Sequence, residues 1–374
     1  MRRPLPLLLA SLALVGTLVA GCSDDGSDGA APPTSRTGGS AGSTSSTVPT
    51  TPGRYVDAWA VGDKEVWALF AEPCPRTGAD TARCGVVSRT TDGGDSWTRL
   101  ARLDVGTSPG GTTDYVSGVH FADARHGWVY DRSLFATFNG GRRWQRVDLG
   151  NPVAAVASSG ASAYALVGAC GVGAGNCTQP MRLAEGTVST GRWRYVGLGF
   201  ELPHTDVGNL VVSRSGVYAV IVRGLDQTFL ARTSGGRWER RQLPCPRALV
   251  ATIQAQDGLV AACRPPAPSA PVELQTSSDG GRTWAVVWQH TFPSQVSSLA
   301  VTGQATIIGL ENGDVMRSAD NGMTFTTTVS AGVAPAIRFV DAEHGTVLGG
   351  SPSERRLYRT SDGGVTWRSV APPP

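Results

Sequence analysis

Few side chains in this 374-residue sequence are of a type and spacing that could do chemistry. Seven are cysteines: Cys22, then Cys74 and Cys84, Cys170 and Cys177, Cys245 and Cys263. No pair stands as Cys-x-x-Cys, and the five histidines are scattered with no His-Glu-x-x-His. That spacing holds no metal, so neither a metal nor a cofactor is expected. In an exported chain the six later cysteines would form disulfides, in a pairing that composition leaves open. Other polar side chains recur with glycine in a way that suits turns. Thr91-Asp92-Gly93-Gly94-Asp95-Ser96-Trp97 is the first of these phrases. Its carboxylate can accept backbone amides ahead of it, and its glycines supply positive φ.

Charge excludes some partners. Lys and Arg total 33 against 30 Asp and Glu, a formal net charge of +3. Such a balance gives no long-range field for nucleic acid, and none is expected as a partner. With 40% hydrophobic residues the chain can bury a core, and 48 glycines point to many tight turns.

The N-terminus reads as an address. Met1-Arg2-Arg3 precedes an apolar run, residues 4–20, that is slightly short for a bilayer span. It ends in Leu18-Val19-Ala20-Gly21-Cys22, which resembles the lipobox of bacterial lipoproteins. The resemblance implies a signal peptide over residues 1–21 and acylation (palmitate) of Cys22 as the first mature residue. Residues 22–53 are mostly Ser, Thr, Gly, Pro, Ala and Asp, and too poor in apolar groups to fold. They read as a disordered tether, holding a folded domain outside the cytoplasm on a lipid-anchored chain at the cell membrane.

The opening turn phrase returns throughout residues 54–371. It reappears as Phe138-Asn139-Gly140-Gly141-Arg142-Arg143-Trp144 and, degenerate, as Thr190-Gly191-Arg192-Trp193 and Ser234-Gly235-Gly236-Arg237-Trp238. Fuller copies are Ser278-Asp279-Gly280-Gly281-Arg282-Thr283-Trp284, Ala319-Asp320-Asn321-Gly322-Met323-Thr324-Phe325 and Ser361-Asp362-Gly363-Gly364-Val365-Thr366-Trp367. The closing aromatics are spaced by 47, 49, 45, 46, 41 and 42 residues. Each period reads as four short strands between Gly, Asp and Asn clusters. Seven such units predict an all-β fold, a seven-bladed β-propeller of four-stranded antiparallel blades over residues 54–371. Ring closure removes long unpaired sheet edges.

These phrases look like the Asp-box, or BNR, repeats of sialidases, sortilin-type receptors and Ycf48-type assembly factors. A second phrase strengthens the likeness: Phe121-Ala122-Asp123-Ala124-Arg125-His126-Gly127 matches Phe339-Val340-Asp341-Ala342-Glu343-His344-Gly345. In the families resembled the motif is structural and lies opposite the ligand. Asp92, Asn139, Asp279, Asp320 and Asp362 are therefore expected to shape turns. Trp97, Trp144, Trp193, Trp238, Trp284, Phe325 and Trp367 are expected to pack, buried, between neighbouring blades. His126 and His344 read as turn chemistry, and the two copies without the acid should be bonded differently.

Placing the cysteines on the blades predicts the pairs 74–84, 170–177 and 245–263. All three fall on the rim opposite the Asp turns. The insert Leu198-Gly199-Phe200-Glu201-Leu202-Pro203-His204 enters that rim and offers Phe200. Stapled loops suit a binding surface, because rigid loops lose less entropy on binding.

The leading functional reading is a monomeric, non-catalytic binding or assembly module at the cell envelope. Its partner would be an envelope protein or a glycan, and the membrane enters only through the anchor. The alternative is a sialidase-like glycoside hydrolase, with Asp114, Tyr115 and arginines as candidates by type, although the Arg-Ile-Pro motif of that family is missing. A purely structural envelope role is the third reading.

Overall fold

A computed structural model describes residues 53–74, 83–107, 115–170, 177–205, 207–233, 236–253, 258–265, 267 and 270–373. The expected signal peptide, Cys22 and nearly all of the expected tether lie outside them, as does Asp114.

The described residues form strands throughout, each sheet taken from one contiguous stretch. The first sheet is β1 (Arg54–Ala60), β2 (Val66–Pro73), β3 (Arg83–Thr90) and β4 (Thr98–Gly106). The second is β5 (Val116–Phe121), β6 (Gly127–Asp131), β7 (Leu134–Thr137) and β8 (Gln145–Val147). The third is β9 (Val153–Ser159), β10 (Ser162–Cys170), β11 (Cys177–Thr187) and β12 (Trp193–Tyr195). The fourth is β13 (Val207–Val212), β14 (Gly216–Arg223), β15 (Asp226–Thr233) and β16 (Glu239–Arg241).

An eight-stranded sheet follows. Its first half is β17 (Ala248–Ile253), β18 (Gly258–Cys263), β19 (Val272–Ser277) and β20 (Ala285–His290). Its second half is β21 (Val296–Val301), β22 (Thr306–Leu310), β23 (Asp314–Ser318) and β24 (Thr326–Ser330). One parallel pair, Ile253 with Val301, joins the halves, and each half is otherwise antiparallel in chain order. The final sheet is β25 (Ala336–Phe339), β26 (Gly345–Gly349), β27 (Arg356–Thr360) and β28 (Arg368–Val370).

Burial follows strand position. In β2 the whole run Val66-Trp67-Ala68-Leu69-Phe70 is buried, as is all of β22 and β26. These second strands have a neighbouring sheet on each face, so their sequences are continuously apolar. The fourth strands are the outer edges, and β4, β8, β16 and β24 carry exposed Arg, Thr, Gln and Glu.

Apolar clusters lie between successive sheets. Trp67, Leu69 and Val87 meet Val119, Phe121 and Val129. Tyr164, Leu166 and Leu183 meet Ala219, Ile221 and Leu230. The ring closes where Leu348, Leu357 and Val370 of the final sheet meet Tyr55, Phe70 and Val86 of the first. Each fully buried Val, Leu or Phe contributes about 1.5–3 kcal/mol, so these interfaces hold the fold.

The repeat aromatics do sit at these interfaces, each against the preceding sheet. Trp144 packs edge-on to Phe121 in the cluster shared with the first sheet, and Trp284 joins the cluster of Tyr218, Phe229 and Leu259. Their burial differs from the expectation. Only Trp238 is buried; Trp97, Trp144, Trp193, Trp284, Phe325 and Trp367 are half-buried. They stand where outer strands begin, at the rim, so solvent reaches one side of each ring. The fully buried aromatics are instead Trp67, Trp128 and Tyr218 on the second strands, with Tyr55, Phe70 and Phe229.

Candidate binding rim

The Asp turns connect third strands to fourth strands, and their polar groups are accounted for one by one. Asp92 Oδ1 accepts the Thr90 hydroxyl at 2.7 Å and the Ser96 amide at 3.0 Å. Asp279 accepts Ser277 and Thr283 hydroxyls and the Thr283 amide, and Asp320 and Asp362 repeat the pattern. Asn139 accepts the Arg143 amide at 2.9 Å. These donors, Thr324 first, hold the Asp320 carboxyl down to about 2. Hydrogen bonds to the charged form have that effect.

A Ser or Thr two residues before the acid was not part of the recurring phrase as read above. Thr90, Thr137, Ser277, Ser318 and Thr360 are all buried, and each accepts the amide of the glycine four residues on, as in Gly94 N–H to Thr90 Oγ1 at 2.8 Å. Their recurrence at one offset was the signal available. The first glycine ties two more elements together. Gly140 N–H donates to Arg125 O at 2.8 Å within its sheet, while Gly140 O accepts Trp67 Nε1 of the preceding sheet at 3.2 Å. Gly363 O likewise accepts Arg317 Nε at 2.8 Å, and Gly93 O accepts Arg368 Nη2 at 2.8 Å.

The degenerate copies are bonded differently. Gly191 N–H donates to Thr187 O at 2.8 Å, backbone to backbone; Ser234 and Gly235 lie outside the described residues. His126 and His344 pair with Asp123 and Asp341 at 2.8 and 2.9 Å inside the turns between first and second strands. This rim is occupied with its own hydrogen bonds.

Antiparallel pairing sends the ends of second strands and starts of first strands to the opposite rim. Disulfides join Cys74 to Cys84, Cys170 to Cys177 and Cys245 to Cys263 there. The insert after β12 is pinned: Leu202 is buried, Met181 N–H donates to Pro203 O at 3.0 Å, and His204 Nδ1 lies 3.2 Å from Cys177 O. Phe200 is left exposed, with the Arg240 guanidinium 4.9 Å above its ring.

On the same rim, near the axis, lies a cleft of about 570 Å³ between the final sheet and the first three. Bulges at Val56, Ser117 and Ala154 in β1, β5 and β9 bring those residues to its wall. Bulges re-aim side chains in this way. Arg338 and Arg355 enter from the final sheet, facing Asp57 and Tyr130. Arg338 Nη1 donates to Asp57 Oδ1 at 2.7 Å and to Ala58 O at 2.6 Å; Asp57 Oδ2 accepts Val119 N–H at 3.0 Å. Arg355 donates to Val56 O. Burial pushes the Tyr130 hydroxyl well above its ordinary range, so it stays protonated.

A row of side chains connects four innermost strands. Arg338 lies 5.1 Å over Trp59, Trp59 packs 4.2 Å from His120, and His120 Nε2 meets Ser158 Oγ at 2.8 Å. Burial, with Arg338 adding to it, lowers the His120 pKa to about 3. Of the residues named for hydrolysis, Tyr115 lies beside Gly106, and its carbonyl accepts the Ser133 amide. It does not line the cleft. Among the described residues no group of three His, Cys, Asp or Glu is placed to hold a metal.

The class that this fold defines is a β-propeller with four-stranded antiparallel blades. Two solved propellers are similar. One is Ycf48 bound to D1 peptide, at 17% identity and TM-score 0.56, covering 84% of this chain and 94% of that one. The other is Ycf48 from Cyanidioschyzon merolae, at 16% identity and TM-score 0.52, covering 84% and 95%. No family model matches the chain, and no curated protein matches it.

Proposed function

We propose that this chain is a lipid-anchored, extracytoplasmic propeller of seven blades that binds a segment of another protein in the axial cleft and catalyses no reaction. The count of seven is supported by the single parallel pair that divides the eight-stranded sheet into two four-stranded runs. Asp-box identity is supported by the shared bonding of Asp92, Asp279, Asp320 and Asp362. The lipid anchor rests on Leu18-Val19-Ala20-Gly21-Cys22. Its domains are then a signal peptide over 1–21, a tether over 22–53 and the propeller over 54–371.

One observation carries the binding reading: a concave, two-arginine cleft opens on the rim whose loops are stapled, in a fold shared with a propeller solved with a peptide bound. Clefts lined by apolar walls and a few convergent polar groups are the default binding sites. Asp57, the carboxylate in the cleft, already accepts an arginine and an amide, which argues for binding over acid–base chemistry.

A photo-crosslinking residue at Val333, exposed beside the cleft, tests this in intact cells against one at Met323 on the Asp-turn rim. One envelope protein captured repeatedly from Val333 alone is expected. Equal capture from both, or none, would overturn the reading. Cys22→Ser should move the protein from the membrane fraction to the medium, or leave it unprocessed.

A further inference from the structure

A second site lies on the outer side of the same rim, on the edge of the fourth sheet. The β15–β16 ladder ends at Phe229 paired with Arg241, and the chain then departs at Gln242. The two-residue hairpin turn at Gly224 and Leu225 makes Arg223 and Asp226 a bonded pair. Alternation then directs the N–H and C=O of Gln227 outward, away from β14. They face a cleft of about 680 Å³ whose walls include Leu225, Arg240, Leu243 and Pro244. Leu225 is 74% exposed. The Gln227 side chain is fixed, exchanging hydrogen bonds with both the N–H and the C=O of Ala248 at 2.8 and 3.0 Å. This short edge is rigid and open.

The neighbouring sheet shows what covers such an edge. There the β11–β12 ladder ends at Ala184 paired with Tyr195. Beyond it the insert lies along β11: Val196 N–H reaches Leu183 O at 2.9 Å, Pro203 O takes Met181 N–H at 3.0 Å, and Leu202 is buried between the sheets. At the fourth sheet Leu243, followed by Pro244, packs against the cluster of Tyr218, Phe229 and Leu259, but among the described residues no segment bonds to the backbone of Gln227.

We infer that the Gln227 edge takes an extended segment of a partner protein with a large aliphatic residue followed by proline. The segment would lay its carbonyl on Gln227 N–H and its aliphatic side chain against Leu225 and Leu243. Strand addition of this kind draws affinity from main-chain hydrogen bonds and specificity from side-chain pockets. The site is separate from the axial cleft and stands or falls without it.

The probe is a fluorescein-labelled peptide with the sequence of residues 197–205, titrated into the full chain in detergent and read by anisotropy. Saturable binding is expected. Gln227→Ala, which keeps the amide but loses the side-chain bonds to Ala248, should weaken binding less than Gln227→Pro, which lacks the amide and should weaken it about tenfold. A photoreactive leucine at the Leu202 position of the probe, used with the natural chain, should label residues 225–228 or 240–245. No binding, equal loss in both variants, an unchanged proline variant, or labelling elsewhere would each overturn the proposal.

Discussion

Arg338, in the first strand of the final sheet, donates to Asp57, in the first strand of the first sheet, across 2.7 Å. The bond spans the point where the ring closes. Among the described residues the final sheet is built from β25–β28 and the first from β1–β4, with no strand exchanged to join them. Side chains span the gap instead: Tyr55 donates to Ala371 O at 3.1 Å, Trp97 to the same carbonyl at 3.0 Å, and Arg368 to Asp95 at 2.6 Å. The Asp57 side chain is only 10% exposed. Removing its cation by Arg338→Met leaves a buried carboxylate short of a partner, and should cost about 2–4 kcal/mol. The Asp57→Asn, Arg338→Met double variant should recover part of that loss in urea unfolding. A double variant as unstable as the sum would show that the pair does not act as one.

Burial separates the two aromatic sets. Trp67 is fully buried, stacks 4.1 Å from Phe121 and donates to Gly140 O. Trp67→Ala should cost about 3–5 kcal/mol. Trp284→Ala, at a half-buried position with no partner for its indole N–H among the described residues, should cost about 2 kcal/mol, less area being lost from water. Equal losses in thermal unfolding would contradict this ranking.

Gly322 has φ +84°, and a Cβ there would lie 2.2 Å from the Trp288 ring of the preceding blade half. Both the backbone conformation and the packing exclude a side chain. Gly322→Ala should destabilise by about 2–3 kcal/mol, measured by urea midpoint. Gly160, also at positive φ but with nothing within 4 Å, should lose only about 1 kcal/mol on the same change.

His120 sets a pH window. Its folded pKa is lowered to about 3, whereas the unfolded chain binds the proton near the ordinary value of about 6.5. Between those values the unfolded state holds more protons, so stability rises with pH and falls on acidification. The slope from this one group should approach about 1.4 kcal/mol per pH unit below about pH 6. His120→Gln, which can still meet Ser158, should flatten urea midpoints between about pH 6 and 4. The turn carboxylates act lower: their pKa values are depressed, so their contribution is present above about pH 4 and lost below it. A slope unchanged in His120→Gln would remove the histidine from this account.

The repeat made the blades legible, because a phrase such as Asp362-Gly363-Gly364 fixes one turn per period and the apolar runs between supply the strands. Cysteine positions on those strands were enough to place the three pairs that are joined in the structure. Burial of the repeat tryptophans was overestimated, because periodicity gives an interface and not the depth within it. Hidden too was the axial cleft: Val56, Ser117 and Ala154 look like ordinary strand residues until register shows each as a bulge. Asp57 and Arg338 are 281 residues apart, and only closure of the ring brings them together.

Mechanical load on this protein would have a defined point of entry. The chain leads from its N-terminal segment directly into β1, the innermost strand of the first sheet and one side of the unlaced junction. Tension arriving along that segment would meet the bonds of Tyr55 to the Ala371 carbonyl and of Arg338 to Asp57. The seam of the ring is therefore also the part of the described fold that the chain enters first.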